Sequence, residues 1–295
     1  MFKKALGVLF LLVSIISAYG CATTEHGRPG GLVLIPTQEE VNIGAQVARQ
    51  IERKYPVLRD HPAADYVEEV GQRLARVCDR HDITYHFKVL VGKDVNAFSL
   101  PGGWVYIFTG MLEKLDNTAQ LAGVLGHEIG HIVARHAVKR LQIALGVGIL
   151  CSLFVGEKAG PLTQNAIKLI INMAMQGYSR ANEREADRLG LIYEYRAGYN
   201  PQGIIQVMEI LRGIHHGRIH SWQKFLLDHP PPQERIRLLE QYLRLLPPEA
   251  MKFPFYRREY HEEVLEPIKW LKTLRRKDSH RRHYKGLPPR QDGSP

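Results

Sequence analysis

Along this chain apolar positions mostly recur at intervals of three and four, the period of helices with one buried face. The stretch TQEEVNIGAQVARQIERKY, from Thr37, puts Val41, Gly44, Ala48 and Ile51 on one stripe, and Thr37 followed by Glu40 has the spacing of a capping box. A second amphipathic helix is expected to start at Pro62, a residue suited to a first helical turn, and to face Val67, Val70, Leu74 and Val77 inward. The period then changes. TYHFKVLV alternates Tyr85, Phe87, Val89 and Val91 with less apolar neighbours and predicts a strand; WVYIF, from Trp104, predicts another, with the turn-rich NAFSLPGG between them. The helix expected over TAQLAGVLGHEIGHIVARHAVKRL, from Thr118 to Leu141, is apolar around most of its circumference, as a helix buried at the centre of a domain must be. Two further helices are expected to begin at Asn200-Pro201 and near Pro232, the latter amphipathic through Ile236, Leu239 and Leu243. This pattern predicts an α+β, predominantly helical domain with a small β-sheet beside the central helix, and it contains no repeat of solenoid period.

Two apolar runs fall outside this scheme. Residues 1–20 carry Lys3 and Lys4, then Ala5 to Ile16, then small residues before Cys21, the pattern of an export signal, with a run shorter than the roughly 20 residues a membrane span needs. SAYGC resembles a bacterial lipobox, although Tyr19 is not the usual small residue. The resemblance implies a lipidated Cys21 and, with Ala22 following it, anchoring on the periplasmic face of the outer membrane. The second run, residues 141–156, has two interior glycines and a length between a core helix and a span; a soluble hairpin with the segment after Gly160 is favoured over a membrane-inserted one. The domain plan is therefore a signal peptide at 1–20, a linker at 21–36, a main domain at 37–250 and a C-terminal extension at 251–295.

Charge alters this picture in one place. The net charge is +10, yet residues 269–295 alone hold nine Lys or Arg against two Asp, so the rest of the chain is nearly neutral. A basic face for nucleic acid is not indicated. The tail reads as disordered, with anionic lipid headgroups as its possible partner. Beyond Cys21 only Cys78 and Cys151 remain, too few for a disulfide framework; export permits a bond between them, but burial as small apolar side chains suits them at least as well.

The chemistry concentrates in GHEIGHIVARH, Gly126 to His136. His127 and His131 are four residues apart, so a helix presents both imidazoles on one face. Glu128, about 100° round from His127, can reach a water held at such a site without ligating. A zinc ion lowers the pKa of a coordinated water toward roughly 7, and a carboxylate beside it can take the proton as that water attacks a carbonyl. Flanking Leu121, Val124, Leu125, Ile129, Ile132 and Val133 bury the helix, where unpartnered imidazoles would be unfavourable. The metzincin pattern would need Gly at 134 and His at 137, and both are Ala. On a continuous helix His136 lies half a turn from the ligand face and is expected to pack or hydrogen-bond elsewhere. A carboxylate from YSRANEREADRLG can complete the set: Glu183 and Asp187 share a face, so one can ligate while the other fixes a histidine tautomer, and Glu185 is turned away.

NAFSLPGGWVYIFTGML, LAGVLGHEIGHIVARH, YSRANEREAD and DHPPPQERI, in this order between Thr37 and Leu246, resemble the M48 family of zinc metallopeptidases. The resemblance implies a gluzincin fold with one zinc ion per chain held by His127, His131 and Glu183, Glu128 as general base and Asp187 orienting a ligand. It implies an envelope endopeptidase acting on unfolded or misassembled polypeptides, of a form expected to do without the repeat domain that some members carry. GGWVYIF is the candidate sheet edge for a substrate strand, and an internal strand fits the sequence equally well. His229, before three prolines, is expected near the cleft, as a latch on the open metal position, a transition-state contact or a packing residue. The competing class is a chaperone or scaffold with a structural or latched zinc site; a deformylase-type site would need a cysteine ligand, and neither Cys78 nor Cys151 has suitable surroundings.

Overall fold

A computed structural model describes residues 33–144, 164–174, 177–214 and 232–274. The expected leader and lipobox, most of the 141–156 run, Cys151, His229 and the tail beyond 274 lie outside them. The first helix, α1 (Thr37–Lys54), buries Glu40, Ile43, Gly44, Val47, Ala48 and Ile51, and α2 (Pro62–Ala75) buries Val67, Val70 and Leu74. The capping box is not used. Pro36 is the N-cap of α1, Thr37 donates from its hydroxyl to Asp82, and Glu40 turns inward to Arg80. A carboxylate with two arginine partners, one of them buried, is drawn further than one offered a single backbone N–H.

The sheet has three strands rather than two. The segment read as turn-rich contains β2 (Ala97–Leu100), between β1 (His86–Leu90) and β3 (Trp104–Phe108). All four β2 residues are buried, so no polar alternation marks the strand. Gly102 and Gly103, at φ of 77° and 102°, make the reversal from β2 into β3 in backbone conformations that side chains with a Cβ resist. The strand order is β1-β3-β2, with β3 parallel to β1 and antiparallel to β2. The strand beginning at Trp104 is therefore central, with hydrogen-bonding partners on both sides, so of the two places the sequence allowed it takes the interior one and not the candidate edge. β1 and β2 are the outer strands.

After the short α3 (Thr109–Leu112), α4 (Thr118–Val133) runs through the middle of the domain with every residue buried. Asn117 caps it by accepting from Gln120 N, and it packs against α2, β2 and the helices that follow: α6 and α7, defined below. The expected continuous helix to Leu141 is broken. α4 ends at Val133, Arg135 takes φ of 54°, and helix resumes over 136–144. This left-handed residue is held by Glu40, 2.8 Å from Arg135 Nη2, and by the Ile35 carbonyl, which accepts from the same nitrogen at 2.6 Å. α5 (Gln164–Ala174) leans on α1 and β2, and α6 (Arg180–Arg196) lies along α4. α7 (Gly203–Ile214) and α8 (Pro232–Leu243) complete the wall around α4.

The contact of α4 with α6 is made by residues almost without side chains. A Cβ added at Gly130 would stand 2.8 Å from the Ala186 carbonyl oxygen, and one at Gly190 would stand 2.9 Å from His127 N. The two backbones touch, which brings the donors on one helix within reach of the other. Residues 248–274 pack into the same core. A 3₁₀ turn (Pro248–Lys252) leads into α9 (Arg257–Tyr260), which continues through a π-turn (His261–Leu265) to residue 274 and buries Tyr260, Val264 and Ile268. The π-turn precedes Pro267, which cannot donate a helical hydrogen bond. Cys78 is free and buried, its thiol near the Arg80 carbonyl and the Tyr85 hydroxyl. No helix among the described residues is long and apolar enough to cross a membrane.

Candidate metal centre

His127, His131 and Glu183 offer ligand atoms that all lie within 4.8 Å of one another, and all three side chains are buried. The two Nε2 atoms are 3.0 Å apart; Glu183 Oε2 is 3.5 Å from His127 Nε2 and its Oε1 is 3.5 Å from His131 Nε2. Donors each about 2.0–2.1 Å from one tetrahedral ion lie roughly 3.3 Å from each other, so the separations fit a single ion of zinc size. The imidazole planes are nearly perpendicular, at 88°, as two rings converging on one point from successive helical turns.

The other faces of these donors are occupied. His127 Nδ1 is 2.9 Å from Asp187 Oδ1, so its hydrogen goes to Asp187 and its Nε2 lone pair points to the donor cluster. Arg235, from α8, grips Asp187 through Nε and Nη2 at 2.7 and 2.6 Å and places Nη1 3.2 Å from Glu183 Oε2. Burial would raise the Asp187 carboxyl, but Arg235 outweighs burial and holds it below the ordinary carboxylate range. Burial likewise works against a charged His127, yet the hydrogen bonds of Asp187 and Glu183 prevail and push it up to about 9. Surroundings that favour a proton on this imidazole favour a metal cation beside it.

Glu128 is buried, and one of its carboxylate oxygens accepts from Ser99 Oγ at 2.9 Å. Ser99 sits on β2, so this outer strand and the general-base candidate are directly joined. An apolar recess lined by Met111, Val124, Val207, Met208 and Leu211 also reaches His127, Glu128 and Arg235.

His136 is placed differently from its helical expectation. Because the helix breaks at Arg135, His136 turns back, and its Nδ1 lies 2.8 Å from His131 Nδ1. Its Nε2 lies 3.2 Å from Glu185, which faces away from the donors but meets this ring, and Tyr178 stacks on His131 with centroids 4.1 Å apart. Spacing brings forward neither Ser99 nor Arg235. Arg235 left a trace all the same: it lies four residues before Leu239 on the buried stripe of α8, where an arginine requires carboxylate partners.

A helix presenting two histidines and a glutamate, joined by a carboxylate from a second helix beside a mixed sheet, defines a metallopeptidase centre of the zincin kind. The profile of Peptidase family M48 matches residues 62–243, and the chain belongs to that family. The beta-barrel assembly-enhancing protease of Escherichia coli K12 is 28% identical over 208 residues, which cover 67% of this chain and 42% of that protein. The mitochondrial metalloendopeptidase OMA1 of Schizosaccharomyces pombe is 31% identical over 184 residues, 62% of this chain and 54% of its own length. The metalloprotease LoiP of Escherichia coli is 29% identical over 153 residues, 51% of this chain and 59% of its own. The chain thus spans about half the length of these relatives.

Proposed function

We propose that this chain is a zinc-dependent endopeptidase of the cell envelope, cleaving unfolded or misassembled polypeptides. The observation that carries the proposal is the convergence of His127 Nε2, His131 Nε2 and Glu183 on one point, with Glu128 next in sequence to His127 on the same helix. These three residues would hold one zinc ion, and Asp187 would keep His127 in the tautomer that ligation needs. When bound, the ion supplies Lewis acidity toward a carbonyl and acidifies a water. Glu128 takes the proton from the attacking water and passes it to the departing amine nitrogen, while Ser99 holds the carboxylate in position between these events. With β3 interior, an added substrate strand would run beside β2, and the recess at Met111 and Val207 would receive an apolar side chain near the scissile bond.

The envelope assignment rests on the export-type leader and on relatives named for beta-barrel assembly and as a mitochondrial endopeptidase. Attachment through a lipidated Cys21 and contact of the basic tail with lipid belong to the same proposal, as does a peptidase domain that starts at residue 37 and, beyond the expected limit of 250, takes in the packed residues 251–274. A scaffold with a purely structural ion would have no use for Glu128 and its Ser99 partner.

The test is metal analysis with casein cleavage. We expect one zinc per chain, and for Glu128→Gln an unchanged zinc content with a loss of about 10²–10⁴-fold in rate. A zinc-free wild type, or full cleavage by Glu128→Gln, would defeat the reading. In the same assay His229→Ala speeds cleavage if His229 is a latch, and abolishes it if His229 contacts the transition state.

A further inference from the structure

The two histidines of the donor cluster are oriented in different ways. His127 meets a carboxylate directly, through Asp187. His131 meets a second imidazole, which in turn meets a carboxylate: His131 Nδ1 to His136 Nδ1 at 2.8 Å, then His136 Nε2 to Glu185 Oε2 at 3.2 Å. Only one set of neutral tautomers satisfies both contacts while leaving His131 Nε2 a lone pair for a metal. Glu185, as carboxylate, accepts from His136 Nε2–H; His136 Nδ1 then has only its lone pair and accepts from His131 Nδ1–H. Exchanging the hydrogen on His136 would set two N–H groups or two lone pairs against each other.

We propose that His136 and Glu185 form a positioning pair that fixes the tautomer and ring plane of His131 and thereby raises the affinity of the site for zinc. This rests on the zinc reading above. The pair exists because of the break in the central helix: Glu40 and the Ile35 carbonyl hold Arg135 in its left-handed conformation, and the chain then returns His136 to His131. His136 is almost fully buried, at 1% exposure, and Tyr178 packs against both imidazoles, so the ring has few alternative poses. Glu183, Glu185 and Asp187 then divide three tasks within one helical segment: ligand, support for His131 through His136, and support for His127.

The experiment measures zinc affinity of the full chain by competition with a chromophoric chelator, alongside casein cleavage. Partners of metal-ligating histidines typically account for about 10–100-fold in affinity. We expect His136→Ala to weaken zinc binding by about that factor, and Glu185→Gln to weaken it less. His136→Asn keeps a polar atom near the Nδ1 position but cuts the link to Glu185, so it retains part of the affinity and makes Glu185→Gln silent. Asp187→Asn acts on the other histidine and weakens binding whether or not His136 is present. Because Glu185 is half-buried, its variant carries the test even if His136→Ala does not fold. Wild-type affinity in both Glu185→Gln and His136→Ala, or an undiminished Glu185→Gln effect in the His136→Asn background, would overturn the pair. Either result would leave the peptidase reading standing if the wild type binds zinc and cleaves casein. A wild type without zinc would remove both.

Discussion

Glu194 is a carboxyl group with almost no solvation. It is fully buried on α6, where Oε2 accepts from Ile204 N at the start of α7 and Oε1 has no hydrogen-bond partner among the described residues. Burial raises its pKa well above the ordinary 4.5, with only the Ile204 N–H pulling the other way. Between 4.5 and that raised value the folded chain keeps a proton that the unfolded chain releases. Stability from this group is therefore fully present below 4.5 and declines as pH rises through the folded value. Glu194→Gln retains an acceptor for Ile204 N and has no proton to lose. It should melt a few degrees above the parent at pH 7.5, with the gap closing toward pH 4.5, as thermal denaturation across pH will check. An equal gap at both ends would show that ionisation is not the cause. The side chains that helical spacing could bring forward, His127, His131, Glu183 and Asp187, are those whose partners lie one turn away on the same helix. Ser99, Arg235 and the true position of His136 were hidden because each depends on a contact between elements, or on a backbone break that periodicity does not encode.

The pairing of α4 with α6 sets the distance between the donors. Alanine at 130 would press its Cβ against the Ala186 carbonyl at 2.8 Å, whereas alanine at 126 meets the Gly190 carbonyl at 3.1 Å, a tight but more accommodating approach. Forcing such a contact costs about 1–3 kcal/mol, while alanine returns about 1 kcal/mol through helix propensity. Gly130→Ala should therefore lose melting temperature and zinc affinity together, and Gly126→Ala should lose less of both. A Gly130→Ala variant as stable as the parent would mean that the helices part without penalty. The amphipathic helices and the strand at His86 were legible because one face of each is buried in a regular period, and the strand at Trp104, buried at four successive positions, was legible as a short apolar and aromatic run. β2 was not, because burial of all four residues erases alternation and the Pro-Gly-Gly that follows resembles a loop. The capping box failed for a related reason: the first turn of α1 serves Arg80 and Arg135 rather than its own backbone.

An ion at this centre would join α4 to α6 across about fifty residues of chain, so removing it should be felt throughout the domain. A ligand at 100 times its dissociation constant stabilises the folded state by about 2.7 kcal/mol. Incubation with a strong chelator should lower the melting temperature by several degrees, and added zinc should restore both temperature and cleavage. A melting temperature indifferent to chelation would argue against a bound ion. The large core around Tyr106, Phe108, Tyr193 and Tyr260 owes nothing to the metal, and the chelated chain should keep its helical circular dichroism at room temperature.

The backbone contact between Gly130 and Ala186 adds a consequence for timing. Since main chain touches main chain there, the spacing of the two helices does not wait for long side chains to find their places. Loading should then be governed by how fast an ion arrives and sheds its water, with first-order dependence on zinc concentration in rapid mixing and no slow phase of chain rearrangement. A chain that meets its ion only after folding would become active on first encounter.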